Sequence, residues 1–222
     1  MLIIKPFYEI EVMPGYFEWV VPHIERAIRT CYRSEDKICE GSAEKLISRI
    51  LDSKHLSTVE HGGFTVRFIV DRGVSHELVR HRLASYSQES TRYCNYNKDK
   101  FGNEITVIRP CWFKEDLELV QSKMDPSSME YIWVNSMNYT ESMYFSLLKS
   151  ENNPNGWTPQ QARTVLPNSL KTEVVMSANF REWREVLQQR TSNAAHPQIR
   201  EVCRPLLDEL KTLVPVIFDD IN

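Results

Sequence analysis

The chain has 222 residues, 41% of them hydrophobic and 26% charged, with a formal net charge of −3. That size supports an ordinary core in one large domain, residues 1–222, and the slight negative charge argues against a general nucleic-acid binder. Five scattered cysteines (Cys31, Cys39, Cys94, Cys111, Cys203) with no Cys-x-x-Cys pair argue against a disulfide framework or a zinc site. No stretch approaches the ~20 apolar residues of a membrane helix, and the opening MLIIKPFYEIEV lacks the apolar run of a signal peptide. A cytoplasmic protein is expected.

In chain order, residues 2–12 read as a strand. Residues 17–33 read as a helix starting near Pro22, with Ile24, Ala27, Ile28 and Cys31 as its stripe. Ser42 is the expected cap of a second helix, with Leu46, Ile47, Ile50 and Leu51 on one face. Gly62-Gly63 opens a strand, Phe64 to Val70. Asp71-Arg72-Gly73 reads as a turn, and Ser75 as the cap of a short helix carrying Glu77 to Arg80. A short strand is expected over 106–109, and helices over 115–124 and 127–150. The second of these carries Met129, Ile132, Trp133, Met137, Met143 and Leu147 as a core stripe. Thr158-Pro159 starts a helix, 170–176 is a strand, and 180–190 and 197–214 are helices. Helices around a few strands without βαβ alternation give an α+β class, with a small, mainly antiparallel sheet. There is no Gly-x-Gly-x-x-Gly and no Walker loop, so neither a Rossmann nor a P-loop site is supported.

Residues 80–93, RHRLASYSQESTRY, carry the chemistry. Arg80, Arg82 and Arg92 are planar five-donor forks suited to phosphate or carboxylate. Ser85, Ser87, Ser90 and Thr91 add short-reach hydroxyls. With Glu77 and Glu89 included, residues 76–93 carry about one net positive charge. That balance suits a small polyanion better than a nucleic-acid backbone.

Arg80-His81-Arg82, seven residues, then Ser90-Thr91-Arg92-Tyr93 resembles the signature of the flavin-dependent thymidylate synthases. His55-x-Ser57-Thr58-Val59-Glu60-His61 is similar to that family's His-x-Thr-Pro-Phe-Glu-His, with Ser, Thr and Val as departures. Ala162 to Pro167 and the spacing of Asn179, Phe180, Arg181, Glu185 and Arg190 also match. The family often has Asn-Glu where Ser87-Gln88 stand, and a histidine where Ala194 stands.

The resemblance implies methylation of dUMP to dTMP, with methylenetetrahydrofolate as carbon donor and NADPH reducing FAD. It implies a homotetramer with active sites between subunits. His55, Ser57, Arg80, His81, Arg82, Gln88, Asn179, Phe180, Arg181 and Glu185 would hold FAD. Glu77, Arg80, Gln88, Glu89, Ser90, Thr91, Arg92, Arg163 and Arg190 would hold dUMP. Arg92 and Arg163 would be the phosphate and sugar-side contacts, and Arg190 would face the uracil ring as the catalytic residue.

Blander readings stand beside these. Arg190 also fits a helix-end charge. His55 and His61 alone make a poor metal site. Pro110-Cys111 looks like the nucleophile of cysteine-dependent thymidylate synthases, but no activating base is evident, and a buried structural cysteine fits better. Ser90 has no base beside it. From other classes, a non-catalytic nucleotide- or RNA-binding protein and a flavoprotein oxidase of different substrate are the alternatives.

Overall fold

The computed structural model describes residues 1–113 and 125–222. The helix expected over 115–124 lies outside the described residues.

The expected first strand divides in two, β1 (Leu2–Ile4) and β2 (Phe7–Glu11). Pro6 separates them, because it has no N–H to donate to a ladder. β1 pairs in parallel with a later strand, β5 (Thr106–Ile108), with Leu2 opposite Thr106. The other strands are β3 (Gly63–Asp71), β4 (Ala84–Gln88) and β6 (Lys171–Asn179). They join β2 in a four-stranded sheet of order β2-β3-β6-β4. β3 and β6 run antiparallel: Thr65 and Ser177 hydroxyls meet at 2.7 Å, and Phe180 N–H donates to Gly62 C=O. The α+β class with a small, mainly antiparallel sheet holds, and the separate β1–β5 pair is parallel.

The chain divides into two compact units. The first comprises Met1–Phe7, Ile69–His76 and Gln88–Val174; the second comprises Tyr8–Phe68, Glu77–Ser87 and Val175–Asn222.

In the first unit, Tyr96, Ile105, Val107, Met137, Tyr144, Leu148, Ala162 and Leu170 form the core. The long helix here, Met129–Leu147, turns inward a face that shares only part of the expected stripe. Val134, Met137 and Tyr144 are buried, whereas Met129 is 70% and Ile132 49% exposed. Trp133 and Leu147 of the expected stripe also pack against this core, so the stripe holds in part and its N-terminal members Met129 and Ile132 turn to solvent.

In the second unit, α1 (Tyr16–Thr30) begins after Gly15, whose φ of +76° is a left-handed conformation that glycine adopts without cost. Pro22 therefore lies inside the helix instead of opening it. Burial of Phe17, Val20, Val21, Ile24 and Ile28 holds the helix despite the lost hydrogen bond. α2 (Ser42–Asp52) is capped at Gly41, and Ser42 is its first residue; the Ser42 hydroxyl donates to buried Glu25. Two later helices of this unit, Phe180–Arg190 and Pro197–Leu213, match expectation to within a residue. Phe64 stacks on Trp183 at 4.8 Å, and the Trp183 indole N–H donates to the Phe64 carbonyl. Phe180 and Phe218 pack on the same ring cluster. This aromatic block fixes the helix 180–190 against β3, and so sets where its last residue, Arg190, points.

Candidate active site

The second unit holds a polar cluster at the end of helix 180–190. Arg190 Nε donates to His81 Nε2 at 3.0 Å. Its Nη1 donates to Glu77 Oε2 at 2.7 Å, and its Nη2 to the Glu77 carbonyl at 3.0 Å. A guanidinium has five N–H donors. Three are used here, which leaves one on each terminal nitrogen for a ligand. The group is held on three sides by these contacts.

For His81 Nε2 to accept, the imidazole must be unprotonated there. Burial, and then the Arg190 charge, hold its pKa below the ordinary 6.5. The other ring nitrogen lies 3.8 Å from Glu182 Oε1. Burial, then the nearby Glu185 charge, push Glu182 above the usual carboxylate range. The Tyr86 hydroxyl lies 2.8 Å from the Leu78 carbonyl and 2.7 Å from that of His81, its one proton shared between them. Burial pushes Tyr86 up to about 12, so it stays a donor. The turn that carries Arg80, His81 and Arg82 is thereby pinned to β4. Arg80 and Arg82 themselves are exposed.

The same unit has an open groove of about 400 Å³ lined by Gly63, Phe64, Thr65, Leu83, Ser85, Ser177, Ala178 and Asn179. Asn179 caps helix 180–190 by accepting from Glu182 N–H at 2.9 Å. Arg181 is paired with Glu60 at 2.6 Å, both half in solvent. His55, Ser57 and Glu185 are exposed, whereas Phe180 is fully buried, which counts against its expected place in the flavin site.

The first unit holds a cationic cavity. It encloses about 250 Å³ between Arg72, His76, Thr91, Arg163, Thr164, Leu166, Pro167 and Asn168. Arg72 opens the short helix Arg72–Leu78. Asp71, not Ser75, caps that helix, accepting from Val74 N–H at 2.7 Å; Ser75 lies inside it and donates to the Arg72 carbonyl. Arg163 follows a helical turn, Pro159–Ala162, opened by a Thr158–Gln161 capping box, and donates to Thr91 Oγ1 at 3.4 Å. Arg92 is not among the residues lining this cavity; it is exposed, over the ring of Tyr93.

Gln88 donates to Ser75 at 3.0 Å, and Glu89 accepts from Tyr96 at 2.7 Å and from Lys171 at 2.9 Å. Both are tied into the unit. The Ser90 hydroxyl accepts from Arg92 N–H, which supports a turn and not a nucleophile. Cys111 is half-buried, where the sequence suggested full burial.

Comparison with known proteins gives these residues a context. The profile of the family described as thymidylate synthase complementing protein matches residues 21–216. The flavin-dependent thymidylate synthase of Corynebacterium efficiens is 31% identical over 212 residues, covering 90% of this chain and 78% of that protein. That of Mycolicibacterium vanbaalenii is 30% identical over 207 residues, with the same coverages of 90% and 78%.

The chain belongs to the flavin-dependent thymidylate synthases.

The fold agrees: the crystal structure of thymidylate synthase X from Helicobacter pylori with FAD and dUMP superposes with a TM-score of 0.72 at 25% identity. The match covers 97% of this chain and 98% of that one. None of these comparisons supports a non-catalytic binding module.

Within this flavin-dependent thymidylate synthase, the structure gathers Glu77, His81 and Arg190 in one unit, and Thr91 and Arg163 in the other. Sequence reading missed Arg72 and His76 on the cavity wall, and Tyr86 and Glu182 beside His81. It also assigns no strand to the first half of the signature. Ala84–Gln88 is a strand, half-buried at every second residue, a period-2 signal of apolar and aromatic Ala84 and Tyr86 that its serines obscured.

Proposed function

We propose that the chain methylates dUMP reductively to dTMP, with FAD as resident cofactor, methylenetetrahydrofolate as carbon donor and NADPH as reductant. The observation that carries this reading is the family match across residues 21–216. In the same reading the protein works in the cytoplasm as a homotetramer with active sites shared between subunits, and residues 1–222 act as one functional domain. Among the described residues no helix is long and apolar enough to cross a membrane.

The residues present fit an anionic dinucleotide. Arg80 and Arg82 are exposed guanidiniums, and the nearby groove offers Ser85, Ser177 and Asn179 as short polar contacts. These side chains, with His55, Ser57, Arg181 and Glu185 at the surface of the same unit, would hold the flavin. When bound, the flavin supplies hydride, and that chemistry belongs to the cofactor.

The protein's part is positioning and charge. Uracil C5 is a poor nucleophile, and the negative charge that develops on the pyrimidine needs a fixed counter-charge. Arg190 offers its two remaining donors as a fork to the pyrimidine edge, and its preorganised charge stabilises the transition state. Glu77 and His81 act as positioning residues by holding that fork. Arg163 and Thr91 would face the phosphate and sugar.

Purified protein is expected to carry FAD. Denaturation should release FAD and not FMN. A colourless protein that also fails to take up added FAD would refute the reading.

A further inference from the structure

We infer that Glu182 is a positioning residue for Arg190 and acts through His81: its carboxyl holds the imidazole in the tautomer that presents a bare Nε2 to the Arg190 side chain. The inference deepens the functional reading above and rests on it for the activity it predicts.

The first observation is that the imidazole sits between two residues of one helix. Glu182 lies in the first turn of helix 180–190, and Arg190 is its last residue. At 3.6 residues per turn, this separation brings both to one face, about two turns apart. His81, from the signature turn, fills the gap. Its Nε2 accepts from Arg190 Nε at 3.0 Å, and its Nδ1 lies 3.8 Å from Glu182 Oε1.

The second is what each tautomer meets. A neutral imidazole has one N–H and one bare nitrogen. With the proton on Nε2, two N–H groups would oppose each other at the Arg190 contact, and a bare Nδ1 would face the carboxyl oxygens. With the proton on Nδ1, both edges of the ring are complementary to what they face. The partner of one ring nitrogen thus sets the state of the other. A separation of 3.8 Å is too long for a hydrogen bond, so Glu182 acts here as a charge aligned with the Nδ1–H dipole. Burial and then Glu185 push the Glu182 carboxyl up, while Arg181 and the Leu83 backbone N–H act to keep it ionised.

The third is that helix capping does not account for this carboxyl. The third residue of a helix is where a glutamate returns a bond to the N-cap N–H. Here Asn179 accepts from Glu182 N–H at 2.9 Å, but the glutamate side chain does not complete the box. It is buried instead, with the residue only 6% exposed, and a buried carboxylate costs the fold stability unless polar groups receive it. Within ion-pair distance, its partner among the described residues is His81. Glu185, one turn on, is exposed and accepts from Gln189. Of the two acids, Glu182 is the one turned toward the ring.

The test combines kinetics with the tautomer itself, read from imidazole nitrogen shifts in FAD-loaded protein carrying ¹⁵N-histidine. The chain has six histidines, and loss of one signal in His81→Gln identifies the right one. The parent should show the proton on Nδ1. Glu182→Ala should shift His81 toward the other tautomer and lower kcat for dTMP about tenfold, with KM for dUMP nearly unchanged. Glu182→Gln should recover most of that loss, because its amide oxygen still faces the Nδ1–H. In a His81→Gln background the amide oxygen accepts from Arg190 without any choice of tautomer. Adding Glu182→Ala there should cost less than about twofold, the non-additivity expected of residues that act through one another. An unchanged kcat in Glu182→Ala would overturn the inference. So would a lowered kcat with His81 still protonated on Nδ1, or the same fold loss in the His81→Gln background, since a merely structural glutamate predicts both. Should Glu182→Ala fail to fold, the parent tautomer and the Glu182→Gln shifts decide, and a parent with its proton on Nε2 would sink the idea. A parent protein that makes no dTMP removes the functional reading, whereas the tautomer measurements judge the Glu182 assignment separately.

Discussion

Replacing Arg190 with alanine tests the central assignment. The side chain makes three hydrogen bonds, to His81, to the Glu77 carboxylate and to the Glu77 carbonyl. Two donors remain for the pyrimidine. Loss of one preorganised donor to a developing anion typically costs ~2.7–4 kcal/mol, about a hundred- to thousandfold in turnover. The substitution also strands Glu77 and His81, for a stability cost of about 1–3 kcal/mol. Both partners are reached by solvent or ringed by polar groups, so the lower end applies. At about 2–4 °C per kcal/mol for a chain of this size, melting should fall only a few degrees. Arg190→Ala should therefore keep FAD and its reduction by NADPH, yet form dTMP very slowly. Arg190→Lys should rescue little. A point ammonium with three donors cannot satisfy the imidazole, the carboxylate, the carbonyl and a substrate edge together. Flavin reduction, dTMP formation and thermal melting are measured separately in each variant. Near-normal dTMP formation in Arg190→Ala would refute the catalytic role. Loss of bound flavin with a normal melt would show that the residue serves the cofactor instead.

Two further outcomes follow from the same geometry. His81 has a folded pKa below its ordinary 6.5, so between those two values the unfolded chain binds more protons. Its contribution to stability is present above 6.5 and is lost as pH falls toward the folded value. Thermal melts from pH 8 to pH 5 should show a steeper acid loss for the parent protein than for His81→Asn, and parallel curves would count against the buried neutral imidazole. Gly63→Ala should destabilise by about 1–3 kcal/mol, because its Cβ would press on the Ala178 carbonyl and lie 2.7 Å from the Asn179 Cα. An unchanged or raised melting temperature would show that the β3–β6 contact yields more easily than its geometry implies.

Much of the secondary structure was legible in local pattern. The helices at 180–190 and 197–213 follow from apolar spacing and from caps at Asn179 and His196, which are local interactions. The failures have local causes too. Ser75 and Asp71 are both good caps, and sequence could not rank them; the Val74 N–H chose Asp71. Pro22 looked like a helix start, but burial of the stripe around it outweighed one lost backbone bond.

The sequence by itself determined the family, through the spacing Arg80-His81-Arg82 to Ser90, and with it the expected chemistry. It pointed to Arg190, Thr91 and Arg163 one at a time. Only tertiary structure decided their company. Arg190 meets Glu77 across 113 positions of chain, and Arg163 meets Thr91 across 72. No periodicity spans such distances, because the contacts are made by packing a helix on a sheet and not by any repeat along the backbone. Tertiary structure likewise decided that Arg72 Nη1 is buried with no hydrogen-bond partner among the described residues. In sequence it is one more arginine in a turn; whether a buried donor meets an acceptor is a property of the surrounding space.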